Sequence, residues 1–183
     1  MELLYYYLAV IVIPTFLALK ELPERLRSLH RGCRGFLYSP VAFTVGLFTL
    51  VIAEYAAEAL PFLKWGLLGY NIITLPLMEG SADAGALGLT GQILSFAFLL
   101  ISILTIMLSN FWEEKYFRDS YKLVVIWTFI HLIMGTTLYA LPSIFCQGLI
   151  FKHVYDKYSV DHSYAAHLGT NIMLISLAFL LSC

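Results

Sequence analysis

Long runs of apolar residues, separated by short polar segments, dominate the pattern of this sequence. The runs are Leu3–Leu19, Val41–Leu63, Trp65–Met78, Gly91–Phe111, Lys122–Leu141, Ser143–Tyr155 and Ser163–Ser182. A helix needs about 20 apolar residues to cross the hydrocarbon core of a bilayer, and most of the runs come close to that length. Trp65–Met78 and Ser143–Tyr155 are shorter, and we expect the first of these to lie at the interface or to re-enter. The pattern predicts an all-α, polytopic membrane helical bundle of about six transmembrane helices, with one or two short or re-entrant segments.

The segment between the first two runs, residues 20–38, is the most basic part of the chain. It contains Lys20, Arg25, Arg27, Arg31 and Arg34, against the acidic residues Glu21 and Glu24. Because short segments rich in Lys and Arg stay in the cytoplasm, we predict a cytoplasmic loop here and an external amino terminus. The first run follows Glu2 instead of a basic region and has no small-residue cleavage pattern, so we interpret it as a retained span and not as a signal peptide.

Composition favours a membrane protein and argues against one class of partner. Hydrophobic residues make up 60% of the 183-residue chain and charged residues only 13%, whereas soluble domains are about half apolar and about a quarter charged. We therefore predict a single integral membrane domain over residues 1–183, located in the cell membrane as a multi-pass protein with the lipid bilayer around it. The net charge of −1 argues against a nucleic-acid partner, because phosphate binding needs clustered Lys and Arg.

Three pairs of polar or aromatic residues lie in or beside the apolar runs. They are Glu114 with Arg118, Trp127 with His131, and His167 with Asn171, and the members of each pair are four residues apart. This spacing places both members on one face of a helix. Ionisable groups at bilayer depth usually face the bundle interior and mark function. Taken singly, the pairs also have a simpler interpretation, as packed histidines and as an ion pair at a helix end.

The three pairs occur in the order of a known signature. The segments EEKYFR at 113–118, WTFIH at 127–131 and HLGTN at 167–171 resemble the motifs of the CPBP family (CaaX protease and bacteriocin-processing, also called Abi), whose members include intramembrane glutamic proteases. The resemblance covers residues 91–182, which we expect to form the catalytic core. Two features depart from the family pattern. Trp127 stands where the family usually has Phe, and the separation between Glu113 and His131 is short.

The resemblance implies an intramembrane endopeptidase acting on a membrane-associated peptide or protein, such as a prenylated CaaX-like tail or a leader peptide. Hydrolysis needs an activated water and a site for the negative charge that develops on the carbonyl oxygen. By resemblance, Glu113 is the general base, His131 assists it, and His167 and Asn171 bind the oxyanion, with Glu114, Arg118 and Trp127 in supporting roles.

Other functions stay open at the level of sequence. Two histidines and a glutamate are also a ligand set for catalytic zinc with an open site for water. We expect an enzyme without a metal or other cofactor, because neither histidine lies in an HExxH helix and the family resemblance implies a glutamic type. A non-enzymatic immunity or membrane scaffold protein would use the same fold to bind a partner. A small transporter would show paired broken helices or an internal repeat, and the sequence shows neither pattern.

Overall fold

The computed structural model describes residues 12–68 and 89–182, and every regular element within them is helical. The α-helices are α1 (Ile13–Ala18), α2 (Leu22–Arg31), α3 (Ser39–Ala59), α4 (Leu89–Phe117), α5 (Tyr121–Ile130), α6 (Leu141–Lys157) and α7 (Val160–Ser182). Short 3₁₀ segments at Leu19–Glu21, Cys33–Tyr38, Pro61–Lys64 and Leu138–Ala140 join or extend them. The all-α class predicted from the sequence is therefore confirmed for the described residues.

Local sequence explains where several helices begin. Pro23, Pro40 and Pro142 lie in the first turns of α2, α3 and α6, where the missing backbone N–H costs no hydrogen bond. The hydroxyl of Ser120 caps α5 by accepting a hydrogen bond from Leu123 N at 3.3 Å. This cap satisfies one of the free donors at the helix start and defines the register of α5.

Helix α7 is the centre of the bundle, because it packs against α2, the Cys33–Tyr38 segment, α3, α4 and α6. A Cβ at Gly35 would collide with the backbone oxygen of His162, so only glycine permits this approach to α7. Two clusters form the buried core, one of Ile106, Phe111, Tyr164, Leu168 and Ile175 and the other of Ala42, Trp127, Phe151, Val154 and Ala166. Since α7 contributes to both clusters, it joins the α4 part of the core to the α5 and α6 part.

The predicted span Lys122–Leu141 is not one helix, and this expectation is wrong. Helix α5 ends at Ile130, and the chain then turns through Gly135, which has a φ of 84°. This left-handed conformation is readily adopted by glycine but not by most other residues. A contact with a distant part of the chain stabilises the turn, since Leu138 N donates a hydrogen bond to the Trp65 carbonyl oxygen at 2.9 Å. The mean hydropathy of the run did not reveal this break, which includes Gly135, Thr136 and Thr137.

The basic segment 20–38 is also different from the expected loop, because most of it is helical. Helix α2 and the following 3₁₀ segment pack against α7. Ser28 and Arg25 of α2 are buried, with Ser28 hydrogen-bonded to Asp161 of α7 and Arg25 over the Phe111 ring of α4. The basic composition of the segment gave no indication that one face of α2 packs against the rest of the bundle.

One stretch of the described residues, Cys33–Ala59, has the length and composition of a membrane-crossing helix, with a mean hydropathy of 1.9. Large apolar side chains along it, Val41, Phe48, Val51, Ile52 and Tyr55, are at least half exposed. The predicted spans Leu3–Leu19 and Trp65–Met78 lie for the greater part outside the described residues. The number of membrane crossings therefore stays a prediction.

Candidate active site

A cavity of about 500 Å³ lies among α3, α4, α5, α6 and α7. The four residues predicted to be catalytic, Glu113, His131, His167 and Asn171, all line it. Much of the remaining wall is apolar and includes Leu47, Leu50, Leu174 and Leu177. The four residues predicted to be catalytic come from α4, the end of α5, and α7, so the packing of the bundle brings them together. The cavity therefore combines a cluster of ionisable and amide groups with an apolar wall.

Glu113 is half-buried at the cavity wall and is held by Trp127. The indole Nε1–H of Trp127 donates to Glu113 Oε2 at 2.5 Å. Trp127 itself is only 2% exposed. Glu113 and His131 line the same cavity without a direct hydrogen bond between their side chains. The second carboxylate oxygen of Glu113 is thus the one available for a molecule in the cavity.

Glu114 is fully buried and binds three side chains. Arg118 Nε donates to Glu114 Oε2 at 3.0 Å, and Arg118 Nη2 lies 2.8 Å from Oε1 in an ion pair that lacks hydrogen-bond geometry. His167 Nδ1 is 2.8 Å from Oε1, and the Ser163 hydroxyl also contacts the carboxylate. The Arg118 guanidinium covers the Trp127 ring at 3.9 Å from the ring centroid. Glu114 therefore ties α4 to α7 and does not line the cavity.

Each histidine uses one ring nitrogen as an anchor. His131 Nδ1 is 2.9 Å from the Trp127 carbonyl oxygen, and since a carbonyl only accepts, Nδ1 carries the proton. His167 Nδ1 donates to the Glu114 carboxylate, and the His167 ring stacks on Phe151 with centroids 4.5 Å apart. In both rings Nε2 is the nitrogen left for a ligand in the cavity. In His131 this Nε2 bears a lone pair when the ring is neutral.

Asn110 is a site residue that the sequence analysis missed. It lines the cavity, is 1% exposed, and accepts a hydrogen bond from Asn171 Nδ2 at 3.2 Å through its Oδ1. Its own Nδ2 has no hydrogen-bond partner. The available signal was its position three residues before Glu113, which places both on one face of α4. Asn110 orients the Asn171 amide and leaves the second Nδ2 proton of Asn171 free to donate.

Charged residues collect at one end of the bundle, close to the site. Asp161, at the start of α7, accepts hydrogen bonds from Arg31 Nε at 2.6 Å and from the Ser28 hydroxyl. Partial burial acts to raise the pKa of Asp161, but the hydrogen bonds from Arg31 and Ser28 outweigh it and hold this pKa below its usual value. Arg25 lies over the Phe111 ring, 4.0 Å from its centroid. These contacts attach the basic segment to the same ends of α4 and α7 that carry the site.

The arrangement is suited to acid–base chemistry, since a carboxylate, two imidazoles and an amide share one wall. Among the residues that the structure describes, no group of three or more His, Cys, Asp and Glu side chains is arranged to hold a metal ion. A carboxylate beside an imidazole lone pair can accept a proton from water, and amide or imidazolium donors can bind an oxyanion.

Comparisons of the chain with protein-family models, with curated proteins and with solved structures find no match. The likeness to the CPBP family therefore rests on the three short motifs alone.

Proposed function

We propose that this protein is a multi-pass membrane endopeptidase in which Glu113 activates water to hydrolyse a peptide bond of a membrane-associated substrate. The observation that carries the proposal is the common cavity, which Glu113, His131, His167 and Asn171 all line. Three of these residues were singled out by their spacing and Glu113 by the resemblance to the CPBP motifs, and the four lie in or directly after three helices that are separate along the chain. A shared cavity is the arrangement that a catalytic role for all four requires.

The exposed surface supports the membrane part of the proposal. The outward side chains of α5 include Val125, Ile126 and Phe129, each more than one-third exposed. Most of the outer side chains of α3 are apolar, with Glu54 and Glu58 exposed in its last two turns. Exposed apolar side chains in this number are unfavourable in water, and in a bilayer they would contact lipid. The charged groups at the ends of α2 and α7 then lie at the membrane surface, near the mouth of the site.

The two adjacent glutamates have different surroundings, and this difference supports Glu113 as the base. Glu113 lines the cavity and keeps one carboxylate oxygen free, whereas Glu114 is enclosed by Arg118, His167 and Ser163. A general base must reach the proton that it removes. Only the Glu113 carboxylate meets this requirement.

The proposed reaction proceeds through a tetrahedral intermediate. Glu113 removes a proton from water, with the Nε2 lone pair of His131 as the assisting acceptor, and the water oxygen bonds to the scissile carbonyl carbon. The oxyanion accepts hydrogen bonds from the free amide proton of Asn171 and from Nε2–H of His167, which donates when the ring is an imidazolium held by Glu114. The C–N bond then breaks, and the proton held by Glu113 passes to the leaving amine.

The test compares the detergent-purified protein with Glu113→Gln and with Glu58→Gln. Glu58 is an exposed glutamate paired with Lys64. Glu58→Gln is therefore the matched control, because it removes one carboxylate charge outside the cavity. Fluorogenic peptides, farnesylated and unmodified, are incubated with each protein, with and without a strong chelator. We expect cleavage by the wild type and by Glu58→Gln that survives chelation, and no cleavage by Glu113→Gln.

Two results would contradict this proposal in different ways. Cleavage that is lost on chelation and restored by zinc would replace the glutamic mechanism with the zinc mechanism. No cleavage of any peptide by the folded wild type would favour the immunity or scaffold function, in which the cavity binds a partner segment without reaction.

A further inference from the structure

Trp127 contacts more members of the candidate site than any other residue described above. Its indole N–H donates to Glu113 Oε2, its backbone carbonyl accepts from His131 Nδ1, and its ring lies edge-on to His131, with centroids 4.5 Å apart. The Arg118 guanidinium covers one face of the ring. Both proton-accepting groups of the proposed mechanism are thus attached to this one residue.

The position of the indole is determined by tight packing. A Cβ at Gly148 would lie 2.9 Å from Cζ3 of Trp127, which is closer than real contacts allow. Gly148 on α6 therefore makes room for the larger ring of tryptophan. With α6 on this side, Arg118 on the ring face and 2% exposure, the indole cannot rotate away from Glu113 without repacking the core.

The hydrogen bond has a direct consequence for Glu113. A glutamate at a cavity wall has several rotamers, and a single fixed donor selects those that place Oε2 against the indole. Oε1 is then the oxygen left for a molecule in the cavity, which His131 also lines. A phenylalanine at this position would keep the aromatic ring but supply no donor, so the tryptophan adds a specific function.

We propose that Trp127 is a positioning residue, whose indole N–H holds the Glu113 carboxylate in the orientation from which it removes a proton from water. This inference rests on the proposed hydrolase function. Loss of the indole N–H should slow the chemical step and leave substrate binding unchanged, because that N–H donates to Glu113 Oε2 and the aromatic surface at the cavity is kept in phenylalanine.

The first experiment detects the hydrogen bond without relying on activity. The chain has three tryptophans, so selective ¹⁵N labelling gives three indole N–H resonances, and Trp127→Phe identifies the one from Trp127. We expect Glu113→Gln to shift the Trp127 indole resonance upfield, because a neutral amide is a weaker acceptor than a carboxylate. The resonance of the exposed Trp65 should stay in place. An unchanged Trp127 resonance would overturn the inference.

The second experiment measures kcat and KM for Trp127→Phe, with Trp65→Phe as the matched loss of an exposed indole. We expect Trp127→Phe to lower kcat by about 10- to 100-fold, the range for one hydrogen bond to a charged group, with KM within about twofold of the wild type. A rise in KM alone, or an equal kcat in an active wild type and the variant, would overturn the positioning role.

The two readouts separate this inference from the function on which it rests. An inactive wild type that retains the Trp127–Glu113 resonance shift would overturn the hydrolase proposal, while the hydrogen bond itself would stand.

Discussion

Replacing Glu114 by glutamine should unfold the protein much more readily than the same change at Glu113. Glu114 and Arg118 are both 0% exposed, and Glu114 also binds His167 and Ser163. Glutamine has nearly the same shape but no charge, so Glu114→Gln leaves the Arg118 guanidinium buried without its counter-ion. Removing one partner of a buried pair typically costs about 3–5 kcal/mol of unfolding free energy.

This loss corresponds to a fall in melting temperature of roughly 6–20 °C, at about 2–4 °C per kcal/mol for a chain of this size. The measurement is thermal unfolding in one detergent, followed by circular dichroism for the wild type and both variants. Glu113→Gln should melt within a few degrees of the wild type, because Glu113 is half-buried and loses only part of one hydrogen bond.

A third variant tests the cause of the loss. Glu114→Gln combined with Arg118→Met removes both charges, and it should recover more than half of the lost stability, since apolar replacement of a whole buried pair is often nearly neutral. Equal melting temperatures for Glu114→Gln and Glu113→Gln would refute the distinction between a structural and a reactive glutamate. Failure of the double variant to recover would show that His167 and Ser163, and not the unpaired Arg118, account for the cost.

Three further predictions concern other contacts. Gly35→Ala should lower the unfolding free energy by about 1–3 kcal/mol, because the added Cβ collides with the His162 backbone. Gly66→Ala is the control in the same denaturation assay. Its Cβ would be 3.3 Å from Thr136 O, so it should lower the unfolding free energy by less. Asp161→Asn should have a lower unfolding free energy than the wild type at neutral pH. Because folding lowers the pKa of Asp161, the difference in unfolding free energy should be constant above about pH 5 and shrink as the pH falls below about 4. A difference that stays constant down to about pH 2 would contradict this prediction. Asn110→Ala should reduce kcat as much as Asn171→Ala, and the double variant should be no worse than either single variant; multiplicative losses would mean that the two amides act separately.

The strongest sequence patterns predicted several helices and most residues of the candidate site, but not the contacts between helices. The long apolar runs predicted helices where α4 and α7 lie, and the four-residue spacing of Glu114 and Arg118 predicted the contact that the structure contains. The hydrogen bond from Trp127 to Glu113 joins two helices, and its formation depends on the angle at which α4 and α5 pack. Periodicity along one helix carries no information on that angle.

The errors have physical causes as well. The run Lys122–Leu141 is apolar on average, and a hydropathy average does not distinguish a continuous helix from one that ends at Ile130 and turns at Gly135. The segment 20–38 was interpreted by its charge, yet Arg25 packs its guanidinium on Phe111 and is buried. Asn110 was overlooked because a single amide in an apolar run resembles a tolerated polar residue until its partner is known.

The early end of α5 has a consequence for hydration. Backbone groups in residues 131–137 leave the regular helical bonding pattern, and in a bilayer such groups are stable only where protein or water surrounds them. Met134 and Thr136 from this stretch line the cavity beside His131. In the proposed membrane hydrolase, the interrupted helix would therefore favour a hydrated cavity where a continuous apolar span would exclude water, and the proposed reaction would consume a water molecule from it.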